Sequence, residues 1–314
     1  MKTGGFSLIR IGKLLGIIGV LLLALLYIDY QYGLRKTPAA LTKHVKTQHF
    51  SIYTDVDDET LKHYENFFEG FYDYFNEEYF EIGRKRPLKV YLFKDDESYR
   101  PYQESIRGPR TPYGFYMGPW ANIVVVNHGS GLGTATHELV HHFTKTAFAK
   151  DPPKWAYEGI SVFFEKFIGH FERDGSLVIS FGYFSNWRFP AIKKRVKWLS
   201  LDDMVSSDQP DQSAAGALML FLHKKGLFKE YVNQLKKVSD DPNGVKTLEK
   251  IYGSSLNRIE KDLKYWIANQ PVDSDVMLVE RSFVLPPDKW LAWLRRNISR
   301  LYWSHREQIY RVRN

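Results

Sequence analysis

Residues 137–141 read His-Glu-Leu-Val-His. On a helix, four residues advance about 400°, so His137 and His141 stand one turn apart on the same face. From there both imidazoles reach a single ion at about 2.0–2.1 Å. Glu138 lies roughly 100° further round, beside that ion and not on it. Its carboxylate could take a proton from a metal-activated water and hand it to a leaving group. Two imidazoles are too few, because a catalytic ion of this kind takes three protein ligands and keeps one position open for water. The chain has no cysteine, so the third ligand is a His, Asp or Glu, and disulfides, iron–sulfur clusters and a thiol nucleophile are excluded.

Three carboxylates follow at usable distances. Asp151 comes soon enough to fold back, but sits on a turn beside Pro152 and Pro153. Glu158 follows His141 after sixteen intervening residues, on a second predicted helix over 154–167 that can return antiparallel to the first. Glu165 lies two turns further along that helix; seven residues is about 700°, so it shares the face of Glu158. A metzincin pattern is excluded, because the positions that would need glycine and a third ligand hold Thr144 and Ala147.

The motif His-Glu-Leu-Val-His, followed by PKWAYEGISVFFE from Pro153 to Glu165, resembles the gluzincin zinc peptidases. In that family the third ligand opens a Glu-Gly-x-(Ala/Ser) stretch on the next helix. The resemblance implies a chain that binds one Zn2+ through His137, His141 and Glu158 and hydrolyses peptide bonds with Glu138 as general base. It also implies that Glu165 orients a ligand, as does the second glutamate of the aminopeptidase-like pattern. In the superfamily a sheet edge near the metal takes an extended peptide as an extra strand. The strand just before the motif, Asn122, Ile123, Val124, Val125, Val126 and Asn127, is the natural candidate for that substrate-binding edge. Looser still is a likeness to membrane-anchored bacterial peptidase-like proteins.

The chain departs from the family in three places. Val162 stands where thermolysin-like enzymes carry an aspartate, and the glycine-rich exopeptidase sequence is absent. The helix expected to bring a tyrosine or histidine to the oxyanion begins Asp211-Gln212-Ser213. These departures keep a second reading open: a catalytically inactive gluzincin-like domain that binds a peptide or an envelope component.

Strands are predicted at 49–54, 88–93, 122–127 and 177–183, and helices at 58–79, 95–102, 134–147, 154–167, 212–224, 227–238 and 254–267. Strands come first and helices later, which predicts an α+β fold with a mixed N-terminal sheet. The aromatic stripe Tyr64, Phe67, Phe68, Phe71, Tyr72, Phe75 has helical spacing and reads as core. His142 reads as packing, and His128, His170 and His223 have no assigned role.

The formal net charge is +8 over 314 residues, with much of the excess at the two ends. Nucleic acid is not an expected partner, since no zinc-finger, RRM or helix-turn-helix signature accompanies the charge. Residues 14–28 form an uninterrupted apolar run after three cations. The run is short against the usual 20 or so residues and competes with a cleaved signal peptide. The weak cleavage signal and Tyr27, Tyr30 and Tyr32 favour a retained anchor, N-terminus inside and the rest extracytoplasmic, periplasmic in a Gram-negative cell. The resulting divisions are anchor 1–34, stalk 35–47, gluzincin-like domain 48–270, and a basic amphipathic tail 271–314, read first as a terminal helix docked on the domain with its arginines solvated, and alternatively as a second membrane contact.

Overall fold

The computed structural model describes residues 12–13, 15–27 and 36–270, apart from short stretches at 80, 84–85, 107–110, 119–120, 149, 172–176, 184–187 and 238–239. The basic tail and the ends of the apolar run therefore lie outside the described residues. Residues 15–27 are helical with exposed apolar side chains, among them Leu15, Leu22 and Leu26. No helix among the described residues is long and apolar enough to cross a membrane.

The fold is α+β. Five strands form one mixed sheet: β1 Lys43–Lys46, β2 Phe50–Thr54, β3 Leu88–Phe93, β4 Gly114–Met117 and β5 Ile123–Asn127, in the order β1-β2-β3-β5-β4. Strands β2, β3 and β5 run parallel, while β1 and β4 are antiparallel edges. Helix α1 (Asp58–Glu78) makes the crossover from β2 to β3, and α2 (Asp96–Ser105) leads out of β3. Alternation along β3 divides the core: Val90 and Leu92 face the cluster that holds α1, while Tyr91 and Phe93 face Tyr99 and Tyr102 of α2. Covered on both faces and paired on both sides, β5 is buried at every residue.

The aromatic stripe of α1 is core as expected, with Phe71 and Phe75 packed on Phe143 and Phe164. Helices α3 (Leu132–Ala147) and α4 (Lys154–Phe163) lie on the α1 side of the sheet. A two-stranded sheet follows, β6 Phe167–Phe171 with β7 Leu177–Phe181. The rest is helical: α5 Arg188–Lys194, α6 Leu201–Ser206, α7 Gln212–Lys224, α8 Phe228–Lys237, α9 Val245–Tyr252 and α10 Leu256–Asn269.

Two boundaries differ from the sequence reading. The segment read as stalk contains β1, and Leu41 is buried in the core on the α2 side. The folded domain therefore begins before residue 48. Helix α4 ends at Phe163 and the chain turns at Phe164 and Glu165, with Glu165 N–H donating to Val162 O at 3.1 Å.

Candidate metal centre

Helix α3 starts without a side-chain cap at Gly131, whose φ of 90° admits few other residues. Its motif residues are buried: His137 and Glu138 are 8% exposed and His141 7%. Ionisable groups at that depth need partners, and the second helix supplies them. Glycines bring α4 against its neighbours. A Cβ on Gly159 would lie 2.9 Å from Ala215 O, and one on Gly133 only 2.6 Å from Glu165 O. The first seats α4 on α7. The second lets the turn after α4 sit on the first turn of α3, where Thr136 Oγ1 also donates to Phe164 O at 2.7 Å.

That packing brings the donors together. His137, His141 and Glu158 each offer one ligand atom, all within 4.8 Å of one another. The two Nε2 atoms stand 3.7 and 3.6 Å from Glu158 Oε2, against roughly 3.3 Å for the edge of a tetrahedron with 2.0–2.1 Å bonds. The set could hold a metal ion, and its composition suits zinc.

The far side of each ligand is held. Ser161 Oγ donates to Tyr157 O at 3.1 Å and lies 2.9 Å from His141 Nδ1. With its proton committed, the hydroxyl accepts from Nδ1–H, which leaves His141 Nε2 unprotonated and facing Glu158. The Tyr157 ring stacks on His141 at 4.1 Å. His137 Nδ1 lies 2.9 Å from Glu165 Oε1, an ion-pair distance, although the N–H does not aim straight at that oxygen. Arg188 clamps Glu165 through Nε at 2.9 Å and Nη2 at 2.8 Å, and its Nη1 donates to Gln212 Oε1 at 3.1 Å. Gln212 Nε2 then donates to Glu158 Oε2 at 2.8 Å.

Electrostatics follow from burial and these neighbours. Burial alone would lower His137, but the Glu158 and Glu165 carboxylates outweigh it and raise the imidazole to about 10. His141 is held well below its ordinary value by burial and by the positive His137 and Lys145. Glu138 is pushed up to about 7 by burial and the nearby Glu158 and Glu165 charges, against His137 and the Tyr116 backbone N–H that bonds it. Glu165 stays below its ordinary value despite burial, because His137 and Arg188 favour its charged form.

Of the three carboxylates considered, Glu158 joins the histidines and Glu165 stands behind His137. Asp151 points elsewhere, 71% exposed and paired with Lys145 at 2.5 Å. His142 packs on the Tyr116 ring, while His128 Nδ1 lies 2.9 Å from Tyr64 Oη.

The strand reading needs correction. Ile123–Val126 lie in β5, paired with β3 and β4, so they offer no edge; Asn122 precedes the strand with φ 55°. The sheet edge beside α3 is β4, where the sequence reading placed no strand. Asn127 N–H donates to Tyr113 O, so in this antiparallel register Phe115 and Met117 turn their backbone groups toward β5. Gly114 and Tyr116 turn theirs outward, and the Tyr116 N–H meets Glu138.

Ser161, Arg188, Gln212 and Tyr116 were not singled out from sequence. Ser161 carried a signal, one turn from Glu158 on the same face. Gln212 opens a helix capped by Asp211, whose carboxylate accepts from Ser213 and Ala214 N–H. Nothing local marks Arg188. Compared with known proteins, the chain matches no family model and no curated protein.

Proposed function

We propose that this chain is a membrane-anchored zinc peptidase of gluzincin type. The observation that carries the reading is the convergence of both Nε2 atoms on Glu158 Oε2 with each Nδ1 held from behind, and with Glu138 beside them at a sheet edge. His137, His141 and Glu158 would hold the ion. Zinc, when bound, supplies Lewis-acid polarisation of a carbonyl and lowers the pKa of a bound water. Glu138 is the proton carrier: its buried carboxylate lies beside the ligand histidines, where it can take a proton from a metal-activated water and return it to a leaving amine. Ser161 and Glu165 keep the imidazoles in the tautomer that ligates, and Gln212 fixes the rotation of Glu158. An extended peptide would pair with the outward backbone groups of Gly114 and with the Tyr116 carbonyl on β4, which replaces β5 as the substrate strand.

The anchor reading of residues 14–28 draws support from the exposed apolar side chains of helix 15–27 and from the cations that precede the run. The second reading, a binding domain without turnover, is favoured by one observation. Where related enzymes bring an oxyanion donor, α7 presents Gln212, already committed to Glu158 and Arg188.

Elemental analysis of the purified chain decides the metal, with about one zinc per chain expected for a single three-ligand site. Turnover of a generic peptide mixture then decides between the two readings. Glu138→Gln keeps the shape and cannot carry a proton, so it should cut turnover by roughly 10²–10⁴-fold while zinc stays bound. A zinc-loaded parent that cleaves nothing moves the assignment to the binding domain.

A further inference from the structure

Sheet edge and sheet face both separate the tether from the metal. Residues 15–27 join the domain through eight residues, 28–35, which reach at most roughly 28 Å when extended. The chain then lies on the α2 side of the sheet, where the Thr37 side chain bonds the Tyr91 hydroxyl and Leu41 is buried. It enters the sheet at β1. The metal ligands sit on α3 and α4, on the opposite face, beside β4 at the opposite edge. Four strand spacings put β1 and β4 about 19 Å apart.

The strip of face between α2 and the β1 edge has its own chemistry. Register places His44 beside Tyr53 and Tyr91, and Lys46 beside Ser51 and Lys89. His44 and Lys46 are exposed, as is Lys36 where the chain arrives. Lys89 Nζ lies over the Tyr53 and Tyr91 rings at 5.3 and 5.7 Å. Asp55 stands at the far end of the same strip with its carboxylate on Lys94 N–H. A lysine over two tyrosine rings, with exposed cations beside it, suits the headgroup layer of a bilayer, where ammonium groups meet phosphates and the rings stay half-wet.

We propose that this strip, centred on Lys36, His44, Lys46, Tyr53 and Lys89, docks on the anionic phospholipid surface of the membrane that holds the anchor. Docked this way, the sheet face that carries the metal ligands lies away from the bilayer. The site then takes peptides presented from the aqueous side and excludes membrane-embedded segments. The proposal rests on the anchor reading above and is independent of whether the site cleaves.

The full chain is reconstituted into neutral vesicles and into vesicles rich in phosphatidylglycerol, both carrying a headgroup-level quencher. Because the chain has no cysteine, single labels can be placed at Gln48→Cys, in the turn beside Lys46, and at Gln209→Cys, in the exposed loop before α7. The Gln48 label should be quenched in anionic vesicles and much less in neutral ones, and the Gln209 label in neither. A lysine at an anionic surface is worth about fivefold in the docking equilibrium, so Lys46→Glu with Lys89→Glu should lower the docked-to-undocked ratio at least about twenty-fold while zinc content holds. Raising salt to about 0.5 M, where the screening length falls to roughly 4 Å, should do the same to the parent without any substitution. Equal quenching of both labels, or a Gln48 signal indifferent to lipid charge and salt, overturns the proposal. A chain that fails to float with vesicles overturns it together with the anchor and leaves the zinc reading intact. A chain that floats without turnover overturns the peptidase reading only, and the labels still decide the orientation.

Discussion

Glu165 offers the sharpest test of how the metal centre is held. Glu165→Gln keeps the volume and removes the charge that faces His137 Nδ1 at 2.9 Å and Arg188 at 2.8 and 2.9 Å. Two effects separate. Loss of an outer partner of a ligating histidine typically costs 10–100-fold in metal affinity, equivalent to about 1.4–2.7 kcal/mol. Breaking a buried pair strands the other charge, at roughly 3–5 kcal/mol when burial is complete. Arg188 and Glu165 are 12 and 13% exposed and Gln212 still receives Nη1, so the lower end, about 3 kcal/mol, is expected for the metal-free protein. Replacing both partners with apolar residues, Glu165→Leu with Arg188→Met, removes the stranded charge and should recover most of that stability. It should not recover metal affinity, because no acceptor faces Nδ1. Chelator competition measures the affinity, and denaturant unfolding with and without zinc measures both terms, the zinc-linked part scaling as RT ln(1 + [Zn]/Kd). Parental zinc affinity in Glu165→Gln, or its return in the double variant, would refute the argument.

Ser161→Ala should leave the fold intact and weaken zinc about tenfold, as read by chelator competition, because His141 Nδ1 loses the hydroxyl that fixes its tautomer. Gly133→Ala forces a Cβ to within 2.6 Å of Glu165 O, so it should cost about 1–3 kcal/mol in denaturant unfolding and weaken zinc as well by displacing Glu165. His63 is held neutral by burial and by the nearby His128, its pKa lowered from 6.5 to about 3. The unfolded chain therefore binds the extra proton between those values, and stability that is complete above pH 6.5 falls as pH drops toward 3. His63→Gln should shift the acid-unfolding midpoint to lower pH, and an unchanged midpoint would contradict the assignment.

The sequence by itself determined what is local. Helical spacing set His137, Glu138 and His141 on one helix, and the residues after Pro153 carried Glu158 on the next, because a 3.6-residue period needs no knowledge of what surrounds it. Long elements were legible for the same reason: α1 with its aromatic stripe, β3 with its apolar run, and α7, predicted at 212–224 and found as Gln212–Lys224. Two things only the tertiary structure decided. Which strand is an edge depends on sheet order, and the four residues of β4 between glycines and prolines carry too little pattern to announce a strand, so the edge was assigned to β5. The network behind the ligands depends on residues distant in sequence. Arg188 reaches Glu165 across 23 positions and Gln212 reaches Glu158 across 54. Glu165 meets His137 only because Gly133 lets a turn, not the continued helix expected for it, lie against α3. Side-chain periodicity reports which face a residue takes on its own element; contact between elements is set by how closely their backbones pack, and here two glycines set that distance.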